Sequence, residues 1–269
     1  MLMPSKYLKS FSLGVQKVLE YRTNFFLSLF SCIFPIIIQF FFWKAVFASS
    51  NQSMVFGYSY NQLIAYSILA ILMTKLIGTG FQFEIARDIK DGGLNKYLIK
   101  PIGYFAYRIC CFLGEKSIEM LAILSISMVV VWVLNLWLGF PVHSQQVLLF
   151  LCVVPFSLLL NFFIYYSLSA IAFWFIESNG AFKTFGLLAT IASGGLFPLD
   201  VYSPGMQKIL LMLPFNYVVY FPIQLLSGKL SMEQIGQGLV MQIMWIAVFA
   251  LLSSILWNTG MKKYVAVGG

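Results

Sequence analysis

Long apolar stretches without charge limit most strongly how this chain can fold. Residues 120–140 and 235–257 each lack Asp, Glu, Lys and Arg. A helix needs about 20 apolar residues to cross the hydrocarbon core of a bilayer, and both stretches reach that length. Over the whole chain 60% of the residues are hydrophobic and 10% are charged, whereas soluble domains have roughly 45–50% and 25%. The chain is therefore predicted to be an integral membrane protein.

The apolar pattern predicts an all-α membrane protein with six transmembrane helices, which form one domain over residues 1–269. The expected spans are residues 25–47, 63–81, 120–140, 147–176, 184–196 and 235–257. The fourth is longer than a bilayer requires, so it is expected to tilt or to bend at Pro155. Ahead of the first span, residues 1–22 alternate apolar and basic side chains at helical spacing. This pattern predicts an amphipathic helix that lies in the membrane interface.

Basic residues are distributed unevenly between the two sides of this topology. Most of the 17 Lys and Arg residues fall in the N-terminal segment, after the second span, after the fourth span or after the sixth. Cytoplasmic loops of membrane proteins are enriched in Lys and Arg. Both termini and the loop after the second span are therefore expected in the cytoplasm. This topology accounts for the net charge of +8, so no nucleic-acid partner is expected.

The loop after the second span, residues 82–101, carries the highest density of charge. Read at helical spacing, its charged side chains fall on one face: Glu84, Arg87, Asp88 and Asp91. Gly92 and Gly93 are expected to end this helix. After this break a second apolar face is formed by Leu94, Leu98 and Pro101, and Lys100 lies opposite it. Two amphipathic pieces joined by a break are typical of a segment that lies across the membrane surface, where another protein can push on it.

The segment at residues 198–231 is apolar but interrupted. Its prolines are Pro198, Pro204, Pro214 and Pro222, and Asp200 is one of its few charges. The uninterrupted pieces are shorter than the roughly 20 residues of one crossing. Two short helices that dip into the outer leaflet and return are expected, because broken backbone is tolerated where protein buries it.

No catalytic, metal-binding or cofactor-binding motif is apparent. The chain lacks a G-x-x-x-x-G-K-[ST] phosphate loop, a H-E-x-x-H site and a G-x-S-x-G elbow, and its one histidine is His143. Uncharged polar residues do occur inside the expected spans, and they predict either helix–helix hydrogen bonds or the lining of a pathway. These candidate pathway residues are Gln39, Asn161, Thr190, Ser193 and Gln242.

Two segments carry a family resemblance: DGGLNKYLIKPI at residues 91–102 and SGGLFPLDVYSPGMQKILLMLPFNYVVYFPIQLLSG at residues 193–228. They resemble the corresponding segments of ABC-2-type transporter permeases, in particular the branch encoded separately from its ATPase. Span count, loop order and length are similar over essentially the whole chain. The resemblance implies a non-catalytic membrane subunit of an exporter in the plasma (inner) membrane of a prokaryote.

The resemblance also implies roles for individual segments. Residues 1–22 match the interfacial elbow helix, residues 82–101 match the coupling helix that docks in a groove of the ATPase, and residues 198–231 match the helices that close the outer exit. The implied partners are two ABC ATPase subunits, which would bind ATP and magnesium, a second permease copy or a sibling permease, and membrane lipid. The cargo would be an amphiphilic compound, a peptide or a lipid.

Two alternatives remain at this point. A stand-alone secondary transporter or channel is disfavoured because the expected spans lack a central charge, which proton or ion coupling generally uses. A membrane-embedded lipid-modifying enzyme would need a catalytic cluster. Its only candidates would be His143, Glu115 and Glu119, which are not expected on one face or one side.

Overall fold

The computed structural model describes residues 3–50, 52–98, 102–138, 144–175 and 177–264, and most of these are helical. The helices of the first half are α1 (Met3–Glu20), α2 (Arg22–Phe30), α3 (Ile33–Ser50), α4 (Tyr60–Ile77), α5 (Phe81–Lys90), α6 (Asn95–Leu98) and α7 (Tyr104–Leu138). Those of the second half are α8 (Ser144–Ser169), α9 (Asn179–Ala192), α10 (Pro204–Met212), α11 (Tyr220–Leu226) and α12 (Met232–Met261). Three short 3-10 helices occur at Ala170–Phe173, Leu199–Val201 and Pro214–Tyr217. The prediction of an all-α protein is confirmed for these residues.

Five helical segments in the described part of the chain are long and apolar enough to cross a membrane. They are Arg22–Ser50, Tyr60–Lys90, Tyr104–Trp137, Ser144–Phe173 and Met232–Met261. The predicted span at residues 184–196 corresponds to α9, whose 14 residues measure about 21 Å. A hydrocarbon core is about 30 Å thick. Five of the six predicted spans therefore have spanning length, and the crossing by α9 stays a prediction.

Polar caps mark where two of these helices begin. The Ser59 side chain accepts a hydrogen bond from the Gln62 backbone N–H, and the Gln62 side chain accepts one from the Ser59 N–H. Ser231 and Gln234 form the same capping box before α12. These contacts satisfy backbone donors that a helix N-terminus otherwise leaves without partners. The local sequence therefore determines where α4 and α12 begin.

The central element of the fold is α8, which packs against α4, α11 and α12. Its side chains Val153, Leu160 and Phe162 are fully buried. The helix continues through Pro155, the predicted bend, and its last turn becomes the 3-10 helix at Ala170–Phe173. The third predicted span is not separate from the segment that precedes it, residues 104–119. Both belong to α7, a continuous helix of 35 residues.

Two glycines allow α1 to lie directly on the first half of α7. A Cβ atom on Gly14 would overlap the carbonyl oxygen of Cys111, and one on Gly114 would overlap the carbonyl oxygen of Phe11. Backbones of two helices can approach this closely only where both lack a side chain. The N-terminal amphipathic helix therefore has one face packed against protein. Its exposed apolar residues, such as Leu8 and Leu19, remain available for the predicted contact with the membrane interface.

A Gly14→Ala substitution is expected to lower the thermal unfolding temperature of the purified protein, because the new methyl group must push α1 away from α7. Overpacking of this kind costs about 1–3 kcal/mol. The control is Gly236→Ala, which adds the same methyl group in α12 at a position with open space around it. Differential scanning fluorimetry in mild detergent measures both variants. Equal unfolding temperatures for the two variants would contradict the close crossing.

Candidate functional site

Arg108 of α7 is the centre of a charged cluster at one end of the molecule. Its guanidinium group lies 2.7 Å from Glu84 Oε2 and 2.5 Å from Asp88 Oδ2, and its Nε donates to the Tyr104 hydroxyl at 2.9 Å. The arginine is buried, with 8% of its surface exposed. Glu84 and Asp88 are four residues apart, so they lie on the same face of α5 and both reach α7. Two of the four residues of the predicted docking face, Glu84 and Asp88, are therefore partly buried and paired with α7.

Lys17 extends this cluster to the N-terminal helix. Its ammonium group lies 2.6 Å from Glu84 Oε1 and 2.8 Å from Glu115 Oε1. Burial alone would lower the pKa of Lys17, but the hydrogen bonds and negative charge of Glu115 and Glu84 outweigh burial and raise that pKa. The amine therefore stays charged at neutral pH. Ion pairs thus join α1, α5 and α7 at this end of the molecule.

The rest of the predicted docking face is exposed. Arg87 and Asp91 are open to the surface, together with Lys90, whose Nζ lies 3.3 Å from Glu177 Oε1 in the turn before α9. A groove of about 450 Å³ runs between α5 and the start of α9. Its lining includes Phe83, Ala86, Arg87, Lys90, Asp91, Glu177, Ser178, Asn179 and Lys183. We refer to these residues as the α5–α9 groove.

The predicted break after α5 is present. Gly92 has a φ of 71°, a left-handed conformation that glycine adopts without strain. Gly93 lies close to Asp88, so a side chain there would collide with α5. Leu94 is fully buried, and its N–H donates to the Asp88 carbonyl at 2.9 Å. Leu98 is the last residue of α6, whereas Lys100 and Pro101 lie outside the described residues, as does His143.

The end of α12 reaches the same region. The Tyr264 hydroxyl donates to Asn95 Oδ1 at 3.0 Å, and the Tyr264 ring contacts the Phe173 ring edge-on. The N-terminal helix, the segment after α4 and the C-terminal end of α12 therefore meet at one end of the molecule. The sequence had predicted these three segments on one side of the membrane.

The opposite end of α4 holds a second polar cluster, centred on Asp200. The hydroxyls of Tyr58 and Tyr220 donate to Asp200 Oδ2 at 2.5 and 2.9 Å, and Gln207 Nε2 donates to Oδ1 at 3.0 Å. Gln224 Nε2 in turn donates to the Tyr58 hydroxyl at 2.5 Å. Burial raises the pKa of both phenols, and the negative charge of Asp200 raises it further. Both tyrosines therefore stay protonated and donate to the carboxylate.

The prolines of residues 198–231 shape this cluster. Pro204 begins α10 and Pro214 begins a 3-10 helix, which are positions where the missing N–H costs nothing. Pro198 precedes the 3-10 helix at Leu199–Val201, and Pro222 lies in the first turn of α11. The segment thus contains the two expected short helices, α10 and α11, with 3-10 turns between the prolines. Its position in the outer leaflet stays a prediction.

Two adjoining cavities contain four of the five candidate pathway residues. The α8 cavity, about 310 Å³ between α4, α8 and α9, is lined by Asn161, Thr190 and Ser193 among others. The α3 cavity, about 560 Å³ between α3, α4, α7 and α9, is lined by Gln39 and again by Thr190. Gln242 lines neither cavity: it is fully buried and donates to Ser157 Oγ at 2.9 Å, so it joins α12 to α8.

Several residues of these sites were not predicted. No role was predicted for Lys17, in the N-terminal amphipathic helix, or for Arg108, although the i,i+4 spacing of Glu84 and Asp88 indicates a face that could accept one cation. Lys75 and Lys116, for which no role was predicted, line the α3 cavity together with Glu119. Their shared cavity depends on which helices become neighbours, and local sequence spacing does not contain that information.

These observations describe a multi-pass helical membrane protein with a charged cluster at one end and polar cavities between its helices. A family model described as "ABC-2 family transporter protein" matches residues 33–268. The chain therefore belongs to the ABC-2 transporter family. A search of curated proteins gave no significant match. Permeases of this family are generally non-catalytic components that work with ABC ATPase partners.

Arg108→Gln is expected to destabilise the protein, because it leaves Asp88 without its cation and leaves Glu84 paired with Lys17 alone. Hydrogen bonds to charged groups contribute about 1.5–3 kcal/mol each, and a loss in this range is expected in urea or thermal unfolding. The matched control is Arg87→Gln, which makes the same change on the exposed side of α5, where an effect within about 0.5 kcal/mol is expected. An equally small loss for Arg108→Gln would show that the buried cluster does not hold α5 to α7.

Tyr58→Phe is expected to weaken the Asp200 cluster, because it removes one donor to the carboxylate and the acceptor of Gln224. The expected loss of stability is about 1–3 kcal/mol. Tyr60→Phe, two residues further along, is the control, since no hydrogen bond of its hydroxyl occurs in the described part of the chain. A double-mutant cycle with Asp200→Asn measures the coupling. Additive effects of Tyr58→Phe and Asp200→Asn would argue against a direct bond between the two residues.

Proposed function

We propose that this chain is the permease of an ATP-driven exporter and forms its translocation path. Separate ATPase subunits would dock on the segment after α4 and move it. Membership of the ABC-2 transporter family supports the transport class, and the lack of a phosphate loop in the sequence assigns ATP hydrolysis to another chain. The observation that carries the proposal is the way Arg108 joins α5 to the spanning helix α7 while Arg87 and Asp91 stay exposed.

The α5–α9 groove is the proposed docking site. It combines exposed charges of both signs with a half-buried aromatic residue, Phe83, which suits recognition of a charged protein surface. Glu84 and Asp88, placed on the docking face by sequence, serve instead to transmit force. The Lys90–Glu177 ion pair connects the docking helix to the turn before α9.

Displacement of α5 would pass to two other helices through the Arg108 cluster. Lys17 ties α5 to α1, and Arg108 ties it to α7. Because packed cores shift between discrete arrangements and do not deform continuously, a small movement of α5 can bias the spans between inward-facing and outward-facing states. ATP and magnesium would act in the partner subunits, not in this chain.

The proposed placement follows the distribution of basic residues. Both termini and α5 would lie in the cytoplasm of a prokaryote, with the Asp200 cluster at the outer surface. The sixth crossing would be made by α9 together with local thinning of the bilayer, which short hydrophobic helices induce at modest cost. In this placement α10 and α11 would re-enter the outer leaflet and close the exit, and the Asp200 cluster would hold them against the loop before α4.

The α8 and α3 cavities are the proposed parts of the pathway within one permease. Their polar residues Asn161, Thr190 and Ser193 lie beside apolar walls, which suits an amphiphilic cargo. Exposed apolar residues of α3, such as Phe34 and Ile38, would face lipid or a second permease, identical or a sibling. Two permeases would then bind two ATPase subunits.

The experiment that tests docking reverses the exposed charges of α5. Arg87→Glu with Asp91→Lys is expected to weaken association with the exporter's ATPase by about tenfold, the effect of 1.4 kcal/mol. The unfolding temperature should stay unchanged, since both side chains are exposed. Copurification of the tagged permease with the ATPase from the native host measures association, and ATP hydrolysis in reconstituted membranes measures coupling.

The control reverses two exposed charges outside the groove, Lys44→Glu with Glu233→Lys, and should leave association unchanged. Unchanged association in the Arg87/Asp91 variant would remove the docking assignment. Cargo movement by the purified chain with an ion gradient and no ATPase would support a stand-alone secondary transporter or channel. Chemical conversion of a lipid by the purified chain would support an embedded enzyme.

A further inference from the structure

We propose that the α3 cavity binds the anionic head of an amphiphile, such as a lipid or drug that carries a phosphate or carboxylate group. This proposal rests on the proposed transport function in one respect: it treats the bound amphiphile as the cargo. The cavity measures about 560 Å³, and charged side chains enter it from two helices: Lys75 from α4, and Lys116 and Glu119 from α7.

The charges in this cavity do not balance. Lys116 Nζ lies 2.5 Å from Glu119 Oε2, and only 8% of the Lys116 side chain is exposed, so these two form a nearly buried pair. Lys75 lines the same cavity, is half-buried and makes no ion pair within the part of the chain that the structure describes. A half-buried cation without a partner is costly. An anion bound in the cavity would supply that partner.

Two buried polar atoms of residues that line the cavity also lack hydrogen-bond partners among the residues that the structure describes. Gln39 is 7% exposed, and its Nε2 donates to the Leu196 carbonyl at 2.9 Å, but its Oε1 has no hydrogen bond. The Thr74 hydroxyl is likewise buried without a partner. Buried polar atoms are nearly always hydrogen-bonded. A ligand with acceptor oxygens for Thr74 and Lys75 and one hydroxyl or ammonium donor for Gln39 would satisfy all three groups.

The apolar side of the cavity points to an amphiphile rather than a free anion. Cys32 and Pro35, at the break between α2 and α3, form part of the wall together with Ile71. The neighbours of Pro35 on α3, such as Phe34, are exposed. An alkyl chain could therefore leave the cavity beside Pro35 and lie along α3, while the anionic head stays beside Lys75.

Cys32 provides a reporter inside the cavity. In a variant with Cys110, Cys111 and Cys152 replaced by Ala, the rate of alkylation by a small maleimide measures access to Cys32. The assay uses the purified permease alone in neutral detergent. Oleoyl lysophosphatidic acid is expected to slow alkylation by about tenfold or more, since charged hydrogen bonds contribute about 1.5–3 kcal/mol. Oleoyl lysophosphatidylcholine, which has the same chain and no net charge, should protect much less.

Lys75→Gln should abolish the protection and Lys75→Arg should keep it, whereas Lys44→Gln, a lysine of α3 outside the cavity, should have no effect. Equal protection by the choline lipid, or protection that survives Lys75→Gln, would overturn the proposal. Protection by inorganic phosphate alone would contradict the proposal that the ligand is an amphiphile, and it would indicate that the cavity binds a free anion. No ATPase takes part, so a failure of ATPase docking and a failure of this site give separate results.

Discussion

The buried guanidinium group of Arg108 is the interaction on which the charged end of the molecule depends. A buried charge is tolerated only when partners surround it, and this one has Glu84, Asp88 and the Tyr104 hydroxyl. Its two carboxylate partners come from α5, while Lys17 of α1 shares Glu84. Three helices that are distant in sequence are thereby fixed relative to one another. This electrostatic requirement and apolar contacts together position α5, since its Phe81 ring packs against Phe112 of α7 and Phe162 of α8.

A comparable arrangement holds the other end of the bundle. Asp200 is surrounded by the phenols of Tyr58 and Tyr220 and by Gln207, as Asp88 is approached by the phenol of Tyr104. Between these clusters the helices pack through apolar side chains around α8, and the polar cavities lie beside that core. Apolar contacts are non-directional, whereas hydrogen bonds to a charge fix geometry. The structure thus joins two ends held by hydrogen bonds to charged groups through a middle that is packed mainly by apolar side chains.

The sequence predicted the positions of the helices better than it predicted which helices contact one another. Glycine at Gly92 ended α5 as expected, and the apolar face of Phe81, Ile85 and Ile89 is buried. The polar face was predicted as one surface, but Glu84 and Asp88 are paired internally, because periodicity shows which residues share a face and not which helix meets that face. For the same reason Lys75 and Lys116 were not expected in one cavity. The predicted span at residues 184–196 ends four residues beyond α9, because apolar composition continues past Ala192, whereas the backbone turns at Gly194 with a φ of 78°.

The close approach of the α1 and α7 backbones at Gly14 and Gly114 means that another amphipathic helix could not simply replace α1. Any amphipathic segment of similar polarity could hold the chain at a lipid surface, but few could place their backbone against that of α7. A chimaera carrying a foreign leader helix would therefore keep its membrane affinity and lose its rigid connection to the remainder of the subunit. A side chain larger than that of glycine should consequently be excluded at position 14 by its size. On the lipid-facing side of the same helix, only the average polarity of the side chains should matter.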